Sequence, residues 1–130
     1  MTDPIAPGLT LDTGALLSLE RGDPRMRALL RTASAHDIAI AVPAGAIAQA
    51  WRGGPRQARV ARLLSDPGVS TPPLDELTAR AVGLLCGRSG HSDVVDVQVA
   101  LHAWQHSHHV VTSDPDDLRS IAPALRLIVV

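Results

Sequence analysis

Short β-branched or aliphatic runs alternate along this chain with longer segments whose apolar residues recur every three to four positions, and that alternation constrains the fold most. The runs are GLTLD at 8–12, IAIAVP at 38–43, a brief one within VSTPPL at 69–74, HVVTS at 109–113 and RLIVV at 126–130. They are short and almost wholly apolar, as strands covered on both faces are. The segments between them read as helices. Thr13 is expected to cap one through GALLSLERG, and 24–35 has Pro at a first helical position with Met26, Leu29 and Leu30 on one face. AGAIAQAW stops at Gly53, Gly54 and Pro55, and 56–65 sets Val60, Leu63 and Leu64 opposite Arg56, Arg59 and Arg62. LDELTARAVGLLCGRSG repeats Leu77, Ala81, Leu84 and Leu85 at helical spacing, a further helix spans about 93–107, and DPDDLRSIAP is a turn or short helix. Strands alternating with helices give a parallel sheet with helices on both sides, here a five-stranded α/β fold. At 130 residues and 45% hydrophobic, the whole chain, 1–130, is expected to close around one core as a single domain.

Charge and residue choice exclude several functions. All twelve basic side chains are Arg, so lysine-dependent chemistry such as Schiff bases and phosphate-loop ATP binding is ruled out. Phe and Tyr are absent, which excludes a sheet that stacks several bases on aromatics. A net charge of -1 argues against indiscriminate coating of nucleic acid. One cysteine permits no internal disulfide, MTDPIAPGLT has no signal-peptide pattern and no apolar run reaches membrane-spanning length. A cytoplasmic protein with no membrane association is the expectation.

Chemistry concentrates in HSDVVDVQVALHAWQHSHHVVTSD at 91–114. Asp93 and Asp96, three apart, share a face at the start of a helix, and Asp114 follows a strand. Asp12 ends the first strand. Right-handed crossovers bring the carboxyl ends of parallel strands to one edge, where ligands of open α/β sheets bind. Four carboxylates collected there without a Lys raise one another's pKa and call for a proton or a hard cation. Mg²⁺ or Mn²⁺, with all-oxygen ligands, suits them, and the chemistry expected is phosphodiester hydrolysis.

In order and spacing, LDTGALLSLERG, VPAGAIAQAWRGGPRQARVARLL, SDVVDVQVALHA and VVTSDPDDL resemble the PIN-domain nucleases, and more closely the VapC-type toxins of toxin-antitoxin pairs. The resemblance implies a PIN-like three-layer α/β/α fold with a five-stranded parallel sheet. It implies metal-dependent cleavage of RNA to 5′-phosphate and 3′-hydroxyl ends, with Asp12, Asp96 and Asp114 as metal-holding, catalytic acids. Asp93 would assist, and Asp116 and Asp117 would be auxiliary. A cognate antitoxin and a homodimer are the partners it implies. Where the family usually carries Glu on the helix after the second strand, this chain has Gln49, which can coordinate through its carbonyl oxygen but brings no charge. A catalytically impaired PIN-fold binding module is therefore the alternative.

Each residue also has a plainer reading. Asp12 can cap the first helix, Asp93 and Asp96 fit a capping-box variant, and Asp116 and Asp117 suit a turn. Thr112 positions water or phosphate, or is simply a strand threonine. Arg52, Arg56 and Arg59 bind RNA or a partner, or line a solvated face together with Arg62. His102 and His106 lie four apart but lack a third ligand at zinc spacing. Cys86 reads as a buried small hydrophobe, and Trp51 and Trp104 as core or interface residues.

Overall fold

The computed structural model describes residues 8–130, so the reading of the N-terminal segment falls largely outside the described residues. Its strands are β1 (Gly8–Leu11), β2 (Ala39–Ala41), β3 (Val69–Ser70), β4 (His109–Thr112) and β5 (Leu127–Val129). They form one sheet in the order β3-β2-β1-β4-β5, and every neighbouring pair is parallel. The expected five-stranded parallel sheet is thus observed, with β2 and β3 shorter than the apolar runs that announced them. Pro43 and the pair Pro72 and Pro73 cannot donate to a ladder, which confines those strands.

The helices are α1 (Thr13–Glu20), α2 (Pro24–Ala35), α3 (Ala44–Ala50), α4 (Ala58–Ser65), α5 (Glu76–Ser89), α6 (Val94–His106) and α7 (Pro115–Ile121), with a 3₁₀ turn at Pro55–Gln57 ahead of α4. From β1 the chain steps outward to β2 and β3, then returns across the sheet to β4 and β5. With right-handed crossovers that reversal sends α1 to α4 to one face and α5 to α7 to the other, giving three layers. It also leaves a switch point between β1 and β4, where the connections leave in opposite directions. The core fills both sides of the sheet: Leu11, Leu16, Met26, Val42, Val97 and Val111 are fully buried. No helix among the described residues is long and apolar enough to cross a membrane.

Three expectations need correction. Asp12, not Thr13, is the cap of α1: its Oδ1 accepts the Ala15 N–H at 2.8 Å, and Thr13 is already helical. On α5 the inward residue is Val82, while Leu77 and Leu84 are 80% and 64% exposed. The helix carries two apolar stripes and packing against α6 selects the one through Val82, Leu85 and Cys86. Cys86 is half-buried rather than buried, and of the two readings of Trp51 and Trp104 the core one fails, Trp104 being 69% exposed, while the interface one is unaffected.

Candidate active site

Asp12, Asp96 and Asp114 come from three elements that meet at the switch point. Asp12 follows β1, and its N–H donates to the Val111 carbonyl of β4 at 3.1 Å, so the ladder fixes its backbone. The residue is 5% exposed. Burial raises the Asp12 pKa above the ordinary carboxylate value, the Thr112 hydroxyl and Ala15 N–H pull it back, and the nearby Asp114 charge raises it again. Thr112 is fully buried, and its hydroxyl accepts the Asp114 N–H at 2.9 Å. One threonine therefore ties the Asp114 backbone to the surroundings of Asp12. The Asp114 side chain is exposed and makes no cap bond to α7.

Asp93 caps α6: its Oδ1 accepts the Val95 and Asp96 N–H groups at 3.0 and 3.2 Å. That cap aims Asp96, one turn in, at the crevice. Burial first, then the charges of Asp93, Asp117 and Asp12, push the Asp96 pKa up to about 6, with His91 opposing. Asp117 thus belongs to the same electrostatic cluster, whereas Asp116 turns to Arg119, 3.5 Å away. No arginine figures among the principal influences on Asp12 or Asp96.

Gln49 reaches α1 from α3, and its Oε1 accepts the Thr13 hydroxyl at 2.7 Å, immediately beside Asp12. It lies at the rim, with its carbonyl oxygen already engaged. Arg52 lies elsewhere: its Nη1 donates to the Ala48 and Trp51 carbonyls at 3.2 and 2.7 Å, closing the end of α3. Arg56 is on the exposed 3₁₀ turn, and Arg59 donates to the Glu20 carbonyl at 3.1 Å, at the far end of α1 from Asp12.

Three residues that shape the site escaped the sequence reading. His91 Nε2 is buried, has no hydrogen-bond partner and lies 3.7 Å from Asp96 Oδ2. Ser113 lies so close to Gly14 that a Cβ there would collide with its hydroxyl. Gln98, buried on α6, accepts the Gly45 N–H at 3.1 Å and locks α6 to α3. His91 and Ser113 stand next to predicted residues, but nothing in their spacing marks them. Gln98 shows only as a lone polar residue on an apolar face.

The chemistry of the donor set suits a hard divalent cation, because the groups are carboxylates from separate elements, two of them with raised proton affinity. As the side chains stand, no three His, Cys, Asp or Glu residues among the described ones are grouped so as to hold a metal ion. Asp114 and Asp117 are exposed, so their carboxylates have room to turn toward Asp12 and Asp96. The histidines at the other edge of the sheet are committed elsewhere. His102 and His106 stack at 4.0 Å, His106 Nδ1 donates to the His102 carbonyl at 2.9 Å, and His108 Nδ1 pairs with the Thr10 hydroxyl at 2.9 Å. Burial and the two neighbouring imidazoles push His102 down to about 4, so it is neutral at pH 7.

No protein-family model matches the sequence, and no curated protein sequence matches it. Solved structures do resemble the fold. VapBC2 from Rickettsia felis, bound to a DNA fragment from its promoter, aligns with a TM-score of 0.70 and 17% identity over 94% of this chain and 98% of that one. FitAB bound to an IR36 DNA fragment gives 0.62 and 18% over 92% and 93%, and FitAcB from Neisseria gonorrhoeae gives 0.60 and 22% over 92% and 96%. At such identities the likeness establishes the fold: the chain has a PIN-like three-layer α/β/α architecture.

Proposed function

We propose that the chain is a metal-dependent endoribonuclease acting in the cytoplasm as the toxin of a type II toxin-antitoxin pair. The observation that supports this reading is the raised proton affinity of Asp12 and Asp96, each feeling the charge of neighbouring carboxylates, Asp114 at Asp12 and Asp93, Asp117 and Asp12 at Asp96, with no arginine prominent around either. Those three would hold Mg²⁺ or Mn²⁺, with the free oxygen of Asp93 and the Asp117 carboxylate in support. When bound, the cation supplies charge neutralisation at the scissile phosphate and lowers the pKa of a water molecule. The protein's own part is positional. The Asp93 cap orients Asp96, Thr112 fixes Asp12 relative to Asp114, and the buried His91 Nε2 offers Asp96 a partner. Water attacks phosphorus, the P–O3′ bond breaks, and the products carry 5′-phosphate and 3′-hydroxyl ends. The partners are RNA, a second copy of the chain and a cognate antitoxin. The likeness to the VapBC2 and FitAB structures supports the last, and the exposed Leu77, Leu84 and Trp104 supply apolar surface for a protein partner.

The test is cleavage of a pool of structured RNAs by purified protein with Mg²⁺, Mn²⁺ or chelator, beside Asp114→Asn from the same preparation. Cleavage should require the metal and fall at least a hundredfold in the variant. Equal cleavage by both, or cleavage in chelator, refutes the reading.

Gln49 supports a second reading, an impaired binding module, because it is uncharged and its acceptor is occupied by Thr13. Gln49→Glu keeps an oxygen for the Thr13 hydroxyl and adds a charge at the rim. It should tighten Mn²⁺ binding about tenfold, read by calorimetry, and raise the cleavage rate. If the wild type is inert and Gln49→Glu cuts RNA, the impaired module is the better description. If neither affinity nor rate changes, Gln49 lies outside the site.

A further inference from the structure

On the α1-to-α4 side of the sheet, α2 and α4 enclose an open groove of about 530 Å³ lined by Arg27, Arg31, Arg59 and Arg62. Arg27 and Arg31 are one turn apart on α2, and Arg59 and Arg62 nearly so on α4, so each helix presents two like charges on one face. Four of the chain's twelve cations therefore face one groove in a protein whose net charge is -1. Among the described residues none of the four forms an ion pair. The lining holds one carboxylate against the four guanidinium groups, Asp66, whose Oδ1 accepts the Gly68 N–H at 2.8 Å in a turn. Ser65, the remaining hydroxyl there, donates to the Ala61 carbonyl at 2.9 Å. Leu30 and Leu63 contribute apolar surface between the two rails of guanidinium groups.

We infer that this groove binds the phosphodiester backbone of a single-stranded polynucleotide. The side chains present donors and almost no free acceptors. A phosphodiester backbone brings only acceptors, and the guanidinium fork matches its paired oxygens. A peptide strand would bring N–H groups that meet a single side-chain carboxylate, Asp66. All four arginines are exposed, which suits a long, flexible polyanion rather than an enclosed small molecule. The groove is also separate from the acids. Arg59 bonds to Glu20 at the end of the eight-residue helix that Asp12 begins, and such a helix is about 12 Å long. That the groove holds the strand which the acids cut rests on the nuclease reading, but the binding itself does not.

The experiment is fluorescence anisotropy with a labelled single-stranded RNA and a DNA of the same sequence, in chelator, over a range of salt. The full chain is compared with the triple variant Arg27→Gln, Arg31→Gln, Arg62→Gln, which leaves Arg59 holding α1, and with Asp96→Asn. Circular dichroism checks that the variants stay folded. Each phosphate contact contributes roughly 0.7 to the slope of log affinity against log salt for single strands, so the triple variant should lose about 2 from that slope. It should also bind at least tenfold more weakly at low salt, while Asp96→Asn keeps the wild-type slope. Binding of RNA alone, DNA alone or both supports the backbone site and says which sugar it accepts. An unchanged slope in the triple variant, no binding by the wild type, or displacement of RNA by polyglutamate at equal charge overturns it, the last in favour of an acidic protein partner. Loss of slope in a protein that cuts nothing keeps the groove and refutes the nuclease. Metal-dependent cleavage with an unmoved slope does the reverse.

Discussion

Asp96→Asn is expected to abolish metal-dependent RNA cleavage, a fall of roughly a thousandfold or more, while making the metal-free protein more stable at neutral pH. The two effects share one cause. Burial and the charges of Asp93, Asp117 and Asp12 raise the Asp96 carboxyl from 3.8 to about 6 in the folded protein. A carboxyl whose folded pKa lies above its unfolded value binds its proton more tightly when folded. Below pH 3.8 it is neutral in both states and carries no penalty. The penalty grows as pH rises from there to 6 and is complete by pH 7. Asn removes it, for a gain of about 1 to 2 kcal/mol once solvent screening is allowed for, and the gain should vanish near pH 4. A bound cation would offset the same repulsion, so saturating Mn²⁺ should stabilise the wild type more than the variant. Thermal melts at pH 4 and 7, with and without Mn²⁺, check all of this. A variant less stable than wild type at pH 7 in chelator would show that Asp96 is structural and that its carboxylate is not held against repulsion.

Much of this arrangement was legible in the chain because it is local. Asp12 and Asp114 end apolar runs that form strands only if buried on both faces, so their meeting at one edge follows from parallel topology. Asp93 and Asp96 are spaced by a helical turn, and one became the cap while the other faced the crevice. The plain reading and the functional one were both needed there: the caps made by Asp12 and Asp93 are what aim the cluster. Legibility failed where the partner is distant in sequence. Gln57, an unremarkable polar residue before α4, accepts the Arg52 and Gly53 N–H groups at 2.8 Å and donates to the Ala50 carbonyl and Glu20. It thereby closes the turn after α3 against α1. On α5 periodicity offered two stripes, and only the position of α6 decides between them. The arginine groove is split between α2 and α4, so half of it had no visible counterpart in the chain. Nor does spacing show that Arg52, read beside Arg56 and Arg59 as a binding residue, has one nitrogen bonded to carbonyls of its own helix end.

Gln98→Leu is expected to destabilise the fold by about 2 to 3 kcal/mol and to loosen the acid site without touching any acid. Gln98 is 2% exposed on α6. Its Oε1 accepts the Gly45 N–H at 3.1 Å, and its amide lies 3.4 Å from the Pro72 and Pro73 carbonyls after β3. Leucine fills much of the same volume but leaves the Gly45 N–H at the start of α3 buried without an acceptor. The lost donor to the proline carbonyls matters less, because those bonds are long. The helices also meet too closely to adjust: a Cβ on Gly45 would lie 2.8 Å from Gln98 Oε1 and 3.2 Å from Val95. For water to reach the orphaned Gly45 N–H, α3 has to move away from α6. Gln49 rides on α3 and Asp96 on α6, so that movement widens the crevice between them. For a domain of this size the melting temperature should fall by about 6 to 15 °C, and Mn²⁺ affinity should drop severalfold although every carboxylate is present. A melting temperature within 2 °C of wild type, or unchanged affinity in a destabilised variant, would show that the carboxylates are set by the strands and caps alone and that the α3 to α6 contact plays no part in placing them.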